Sequence, residues 1–317
     1  MIKLGIIMDP ISQINIKKDS SFAMLLEAKI RGYKLYYMEI NNIYLLHNEP
    51  YGYVIELISI IDDMNCWYKF GNEYKVPLKF FDIILMRKDP PFNMQYIYAT
   101  YILELATKLG VLIVNNPKSL REFNEKLSII RFPDIIPDTL VTSNQKQLYN
   151  FYLKYLDIIL KPLNSMGGDS LYRLQKGDPN VHVIIENMTK YGTCFCMAQN
   201  YISDIIIKGD KRILVINGEP IHLCLARFPK NDETRANLAA GGYGKIQPLS
   251  SNDLIIVKTV SAFLKKNGLI FVGLDVIGNY LTEINITSPT CIREIEAEMS
   301  SKISITNILF DTIEKKL

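Results

Sequence analysis

Three stretches of this sequence hold side chains that could do chemistry together. In LTEINITSPTCIREIE (281–296) an acid and an amide, Glu283 and Asn285, stand two residues apart in a short apolar run. A strand puts residues i and i+2 on one face, so these two oppose Thr282, Ile284 and Ile286. The run before it, LIFVGLDVIGNY (269–280), presents Ile270, Val272, Leu274 and Val276 on one face and Asp275 on the other. Asp275, Glu283 and Asn285 offer hard oxygen donors that suit Mg²⁺. Register decides whether they meet. A two-residue turn at Gly278-Asn279 pairs Asp275 with Thr282 and parts the carboxylates, whereas a three-residue loop or a bulge brings Asp275 opposite Glu283. A half-exposed hairpin with a wet face is the plain alternative. Beyond the strand, Ser288 and Pro289 have the residue types of an N-cap and a first helical position. A helix is therefore expected to start there, with an N-terminus that favours anions.

The second stretch is DIILKPLNSMGGDSLYRL (157–174). Lys161 ends an apolar strand and is followed by a small-residue loop, Ser165-Met166-Gly167-Gly168. Glycines let backbone N–H groups approach a polyanion, and a lysine supplies a point charge for phosphate. The spacing is not that of a Walker loop, and an ordinary hairpin turn explains the glycines as well. The third is KRILVINGEPIHLCLARFPKNDETRANLAAGGYGK (211–245). Asn217-Gly218 is a hairpin signal. Arg212 opens the first strand and Arg227 closes the second, before a long polar loop carrying Arg235 and Asn237. Arginines at strand ends beside such a loop can clamp phosphate or carboxylate.

The elements that position these stretches form two patterns. Short unalternating strands at Lys3–Met8, Lys34–Met38, Phe81–Met86 and Val111–Val114, with helices at Ser20–Arg31 and Tyr96–Lys108, predict a doubly wound α/β sheet. Arg87 and Lys88 follow a strand in RKDPPF, which reads equally as a rigid solvated loop or as a ligand-facing strand end. A Pro-punctuated connector over 116–140 marks a boundary. Past it, short strands alternate with helices near 144–155, 179–190, 251–266 and 299–316, an α+β pattern.

Composition excludes several classes. The 317 residues are 48% hydrophobic, enough for a large core, and the net charge of +3 gives no nucleic-acid footprint. No stretch has the length and apolarity of a membrane span or signal peptide. Five cysteines without a C-x-x-C and three scattered histidines argue against a disulfide framework, a zinc site or a histidine triad. A reduced, cytoplasmic protein is expected.

Lys126 in NEKL, Lys161 in DIILKP, MGG (166–168), MAQNYI (197–202), GDKR (209–212), TRANLAAGG (234–242), GLDVIG (273–278) and TEINITSPTCIREIE (282–296) together resemble bacterial glutathione synthetase of the ATP-grasp superfamily. KLGIIMDPI, INIKKDSSFAMLLEA and ILMRKDPPF carry the same resemblance into the N-terminus. It therefore covers essentially the whole chain. The Glu-x-Asn strand is shared by many ATP-grasp ligases, whereas SPTCIREIE is more family-specific.

The resemblance implies an ATP-grasp fold preceded by a doubly wound domain. It divides the chain into a substrate-binding domain (1–122), a central lid subdomain (123–203) and a C-terminal subdomain with the metal site (204–317). It implies ATP-dependent ligation of γ-glutamylcysteine to glycine through an acyl phosphate, with Mg²⁺ or Mn²⁺, in a homotetramer without nucleic-acid or membrane partners. By position, Lys126, Lys161 and Ser165, Met166, Gly167 and Gly168 match phosphate contacts. Gln199, Asn200, Tyr201 and Ile202 match the adenine segment, and Asp210 matches a further nucleotide contact. Asp275, Glu283 and Asn285 match the metal ligands. Arg212, Arg227, Arg235 and Asn237 fall around the reacting groups, and 228–243 matches a mobile lid. Two positions depart from the pattern: Asn164-Ser165 where Asp-Gly is expected, and Tyr243 where Arg is expected. Another ATP-grasp carboxylate–amine ligase, of dipeptide type, is the alternative reading. A non-catalytic nucleotide-binding module is disfavoured by the intact lysines and acids.

Overall fold

The computed structural model describes residues 1–230, 233–238, 241–299 and 304–317. Its N-terminal sheet is built on parallel strands β1 (Lys3–Ile7), β2 (Lys34–Met38), β6 (Ile83–Met86) and β7 (Leu112–Val114). Antiparallel strands β3 (Ile43–Leu46), β4 (Glu49–Ile60) and β5 (Tyr68–Pro77) extend it. The order is β3-β4-β2-β1-β6-β7, with β5 on β4. Helices α1 (Ser20–Ile30) and α2 (Met94–Lys108) pack on opposite faces, because successive strand residues alternate between them. Leu4 and Ile6 meet Phe22 and Leu25 of α1, while Ile7 and Met86 meet Tyr96 and Leu103 of α2. The doubly wound expectation is met. The sequence pattern missed the hairpin β4–β5, whose polar, exposed edge strand β5 gives no hydrophobic run.

Helix α3 (Pro117–Glu122), capped by the Asn116 side chain, leads out of this sheet. A four-stranded sheet follows, in the order β10-β9-β11-β8. Its strands are β8 (Thr139–Thr142), β9 (Asp157–Pro162), β10 (Tyr172–Gln175) and β11 (Cys196–Asn200). Helices α4 (Gln145–Tyr155) and α5 (Val181–Met188) cover one face. Leu148, Tyr152, Ile158, Leu160 and Ile185 form a core of their own there.

The last sheet has the order β14-β13-β12-β15-β16 and is wholly antiparallel. Helix α6 (Ile205–Lys208) precedes β12 (Asp210–Ile216), β13 (Glu219–Phe228) and β14 (Tyr243–Pro248). Helix α7 (Ser251–Lys266) begins with a Ser250–Asp253 capping box. Strands β15 (Phe271–Ile277) and β16 (Tyr280–Asn285) then lead to α8 (Ile292–Glu296) and α9 (Ile305–Glu314). The Asn217-Gly218 turn joins β12 to β13 with both residues at positive φ, 48° and 81°, as the dipeptide predicts. This sheet shares its core with the N-terminal one: Val272, Leu274 and Ile284 lie in one cluster with Ile7, Met86 and Leu103.

Candidate active site

The register question at 275–283 has a definite answer. Gly278-Asn279 is a two-residue turn flanked by Ile277 and Tyr280, which alone would part the acids. A bulge intervenes: Val276 pairs with Leu281, Thr282 is the extra residue, and Asp275 then pairs with Glu283. The Thr282 hydroxyl donates to the Asp275 carbonyl at 3.1 Å and Lys161 Nζ donates to the Thr282 carbonyl at 3.3 Å, so the bulged residue is held from both sides. Two residues further along the same strand pair, Gly273 pairs with Asn285, whose Nδ2 donates to the Gly273 carbonyl at 3.1 Å. That bond fixes the amide.

Across the sheet the charges alternate. Register sets Asp210 beside Arg227 and Arg212 beside Asp275. Arg212 Nε lies 2.6 Å from Asp275 Oδ1. The Arg227 guanidinium reaches Asp210 Oδ2 at 2.6 Å and Asp275 Oδ2 at 3.0 Å. All four side chains are buried. Burial alone would raise the Asp275 carboxyl, but two guanidinium groups hold it well below the usual carboxylate range. Asp210 shares one of those arginines, its Oδ1 has no hydrogen bond, and burial pushes it up to about 7.

Glu283 lies 3.7 Å from Lys161 Nζ and 3.8 Å from Lys126 Nζ. Burial holds the Lys161 ammonium below its ordinary value, with Glu283 working against that shift. Lys126 Nζ also donates to the Ser165 carbonyl at 2.5 Å, tying it to the glycine loop.

These groups wall a single cleft. Every residue that the sequence assigns to nucleotide contacts lines it: Lys126, Lys161, Ser165, Met166, Gly167, Gly168, Gln199, Asn200, Tyr201, Ile202 and Asp210. Asp275, Glu283, Arg235 and Asn237 line it too. Within the adenine segment, the Gln199 side chain donates instead to Thr139 Oγ1 at 3.0 Å. The Asn200 and Tyr201 amides donate to the carbonyls of Asp138 and Asp157. Arg173, absent from the sequence assignment, lies 3.5 Å over the Tyr201 ring and is held bidentately by Asp157 at 2.6 and 2.8 Å.

A second cavity adjoins the first and shares Met166, Gly167 and Asn237 with it. Arg212, Arg227 and Asn285 line it. So do Lys18, Asp19, Asp89 and Glu294, which sequence reasoning missed. Asp19 also caps α1, its side chain accepting from the Phe22 amide at 2.6 Å. Burial raises the carboxyls of Asp19 and Glu294.

Two sequence expectations are corrected. No helix starts at Ser288-Pro289; α8 begins at Ile292 after Cys291, which has φ 88°. Tertiary partners occupy the expected cap instead: Ser288 Oγ donates to Asp89 at 2.5 Å, the Pro289 carbonyl accepts from Arg87 at 2.9 Å, and Ser20 Oγ takes the Ile292 amide. A five-residue helix also offers no anion site of its own. Arg87 is neither solvated nor ligand-facing: it is buried, donates to Ser21 Oγ at 3.0 Å as well, and burial lowers its pKa. Of the 228–243 loop, 231–232 and 239–240 lie outside the described residues. Phe228 and Tyr243 pair across its base with rings stacked at 5.3 Å. Arg235 is paired with Glu233 at 2.7 Å and reaches the Gly168 carbonyl at 3.5 Å.

Asp275, Glu283 and Asn285 fit a divalent cation by donor chemistry. They supply two carboxylates and a fixed amide oxygen, all hard donors. Asp275 keeps lone pairs beyond its arginine bonds, and among the described residues the Glu283 carboxylate faces two lysines without a hydrogen bond. Those residues hold no cluster of three His, Cys, Asp or Glu, so the amide is needed to complete the set.

Three sheets with a glycine loop and a lysine pair over an acid-bearing antiparallel sheet define an ATP-grasp ligase. The fold is similar to that of D-cycloserine synthetase DcsG, with a TM-score of 0.70 at 10% identity over 99% of both chains. It is also similar to ATP-grasp ligase PsnB complexed with minimal precursor, with a TM-score of 0.63 at 14% identity over 99% of this chain and 98% of that one. The chain belongs to the prokaryotic glutathione synthetase family: residues 2–121 match the model of its N-terminal domain and 125–300 that of its ATP-grasp domain. Glutathione synthetases of Shigella flexneri and of Escherichia coli K12 are each 56% identical to it, over 100% of this chain and 99% of theirs. Among the described residues no helix is long and apolar enough to cross a membrane.

Proposed function

We propose that this chain joins γ-L-glutamyl-L-cysteine to glycine with ATP, giving glutathione, ADP and phosphate. ATP occupies the first cleft. Its base lies at the 199–202 segment beside the Arg173–Tyr201 stack, and its phosphates lie between the glycine loop, Lys126 and Lys161. Asp275, Glu283 and Asn285 would hold Mg²⁺, with Mn²⁺ as a substitute, which when bound neutralises phosphate charge. The cysteinyl carboxylate attacks the γ-phosphorus and ADP leaves. The glycine amine then attacks the acyl carbon, loses a proton, and phosphate departs. Arg212, Arg227, Arg235 and Asn237 stabilise charge on the transferring group. Loop 228–243 keeps water from the acyl phosphate.

The supporting observation is the pair of adjoining cavities with a common roof, Met166, Gly167 and Asn237, and a common wall of alternating charge. A carboxylate in the second cavity can meet a γ-phosphate from the first. That second cavity carries Lys18, Arg212 and Arg227 beside Asp19, Asp89 and Glu294, which suits a zwitterionic peptide rather than a simple acid. The three sheets are assigned as the units 1–122, 123–203 and 204–317. The separate core of the middle sheet fits a lid that moves as a body. ADP release from Mg-ATP tests the reading: release that needs both γ-glutamylcysteine and glycine supports it. Release with a different acid and amine would replace it with a dipeptide-type ligase.

A further inference from the structure

Strand β16, which carries Glu283 and Asn285, is an edge strand: among the described residues it pairs with β15 and with no other strand. Alternate N–H groups of an edge strand point away from the sheet and lack a ladder partner. On β16 and just past its end these belong to Ile284 and Ile286, and both are met by one residue. The Ile284 amide donates to the Glu125 backbone carbonyl at 2.9 Å. The Ile286 amide donates to Glu125 Oε1 at 2.8 Å, and the Thr287 amide and hydroxyl reach the same oxygen at 2.9 Å each. Asn115 takes the other side of Ile286, donating to its carbonyl at 2.7 Å.

Glu125 thus stands where a neighbouring strand would be. Its carbonyl and carboxylate bonds flank Asn285 on both sides, and fixing them fixes the direction of the alternate side chains, Glu283 and Asn285. The residues on either side of Glu125 attach the same point of the chain to the glycine loop. Asn124 Nδ2 donates to the Leu163 carbonyl at 2.7 Å and Lys126 Nζ to the Ser165 carbonyl. The tripeptide 124–126 therefore sets the spacing between the phosphate loop, the Lys126 ammonium and the acid-bearing strand.

We propose that Glu125 is a positioning residue for the divalent cation: through the outer edge of β16 it holds Glu283 and Asn285 in place relative to Lys126. This rests on the assignment of Glu283 and Asn285 as metal ligands. Groups that orient metal ligands typically contribute about 10- to 100-fold to metal affinity. The test is Mn²⁺ binding in the presence of ADP, read from the electron spin resonance of free Mn²⁺, with ADP affinity in EDTA measured in parallel. Glu125→Ala should bind Mn²⁺ about 10- to 100-fold more weakly, with ADP affinity in EDTA unchanged. Glu125→Gln, whose neutral oxygen still accepts these donors at roughly half the strength, should recover most of the loss. Unchanged Mn²⁺ affinity in Glu125→Ala overturns the proposal. So does Gln failing as badly as Ala, since the charge itself would then be what matters, and so does an equal loss of ADP affinity in EDTA, which marks general damage to the cleft. Glu283→Ala is the control: if it keeps Mn²⁺, the ligand assignment falls and the proposal with it. Should Glu125→Ala not fold, Thr287→Val decides, since it removes one donor and leaves the carboxylate. A severalfold weaker Mn²⁺ affinity is expected there, and an unchanged one overturns the proposal.

Discussion

Gly168 sits where the glycine loop meets the 228–243 loop, and its replacement by alanine probes both. Its φ is +79°, a region where an L side chain costs roughly 1–2 kcal/mol. A Cβ there would stand 2.6 Å from Asn237 Oδ1 and 3.3 Å from Arg235 Cδ. Asn237 would have to retreat by roughly 1 Å to restore ordinary contact. Both penalties fall on the arrangement in which the two loops touch, and an open loop escapes them. A cost of roughly 1–2 kcal/mol on that arrangement alone lowers kcat/KM for ATP by about 5- to 30-fold. Steady-state kinetics at saturating γ-glutamylcysteine and glycine measures it. Gly177→Ala supplies the comparison. Gly177 has a similar φ of +85°, but nothing lies within 4 Å of its added Cβ, and it lines neither cavity. The backbone strain is therefore matched while the contact with Asn237 is absent. If Gly168→Ala loses no more kcat/KM than Gly177→Ala, the contact between the loops has no catalytic consequence and the reasoning fails.

Glu283→Ala should lower kcat by about 10²–10³-fold or more, as loss of a preorganised charge contact does; near-normal turnover would sink the metal assignment. Asp210 gives a pH signature. Burial pushes this carboxyl up to about 7 in the folded protein, against 3.8 for an ordinary aspartate in the unfolded chain. Between those values the folded state binds more protons, so stability falls as pH rises, by up to about 1.4 kcal/mol per unit. Urea unfolding in EDTA should show this slope in the wild type and lose it in Asp210→Asn; equal slopes would contradict the assignment. Asp253 is fully buried and takes Lys211 Nζ at 2.7 and 2.9 Å. Asp253→Ala should cost about 3–5 kcal/mol by stranding the ammonium, with much of it recovered in Asp253→Leu/Lys211→Met. A loss under about 1 kcal/mol in denaturant titration would mean that the pair is effectively solvated.

Side-chain periodicity and turn chemistry determined a good deal of this protein. The unalternating runs at β1, β2 and β6 announced a parallel sheet, because strands buried on both faces must be apolar throughout. Asn217-Gly218 announced a hairpin, because that dipeptide tolerates positive φ at both positions. The resemblance located the lysines, the glycine loop and the acids, and the fold gathers those assigned to the nucleotide into one cleft. Where the local pattern was weak or misleading, contacts distant in sequence had the final say. Strands β5 and β14 are half-exposed edges with no apolar run of their own. Ser288-Pro289 has the chemistry of a helix start, yet Asp89 and Arg87, some two hundred residues earlier, bind those groups first. The bulge at Thr282 decides whether Asp275 and Glu283 share a face, and sequence left both registers open. Glu125 shows no local feature at all, since its role arises when the outer edge of β16 arrives beside it. The sequence by itself determined which residues carry the charge and where the chain turns, because those follow from side-chain type and nearest-neighbour spacing. The tertiary structure alone decided register, partner and burial, because each is set by groups that the chain brings together only on folding.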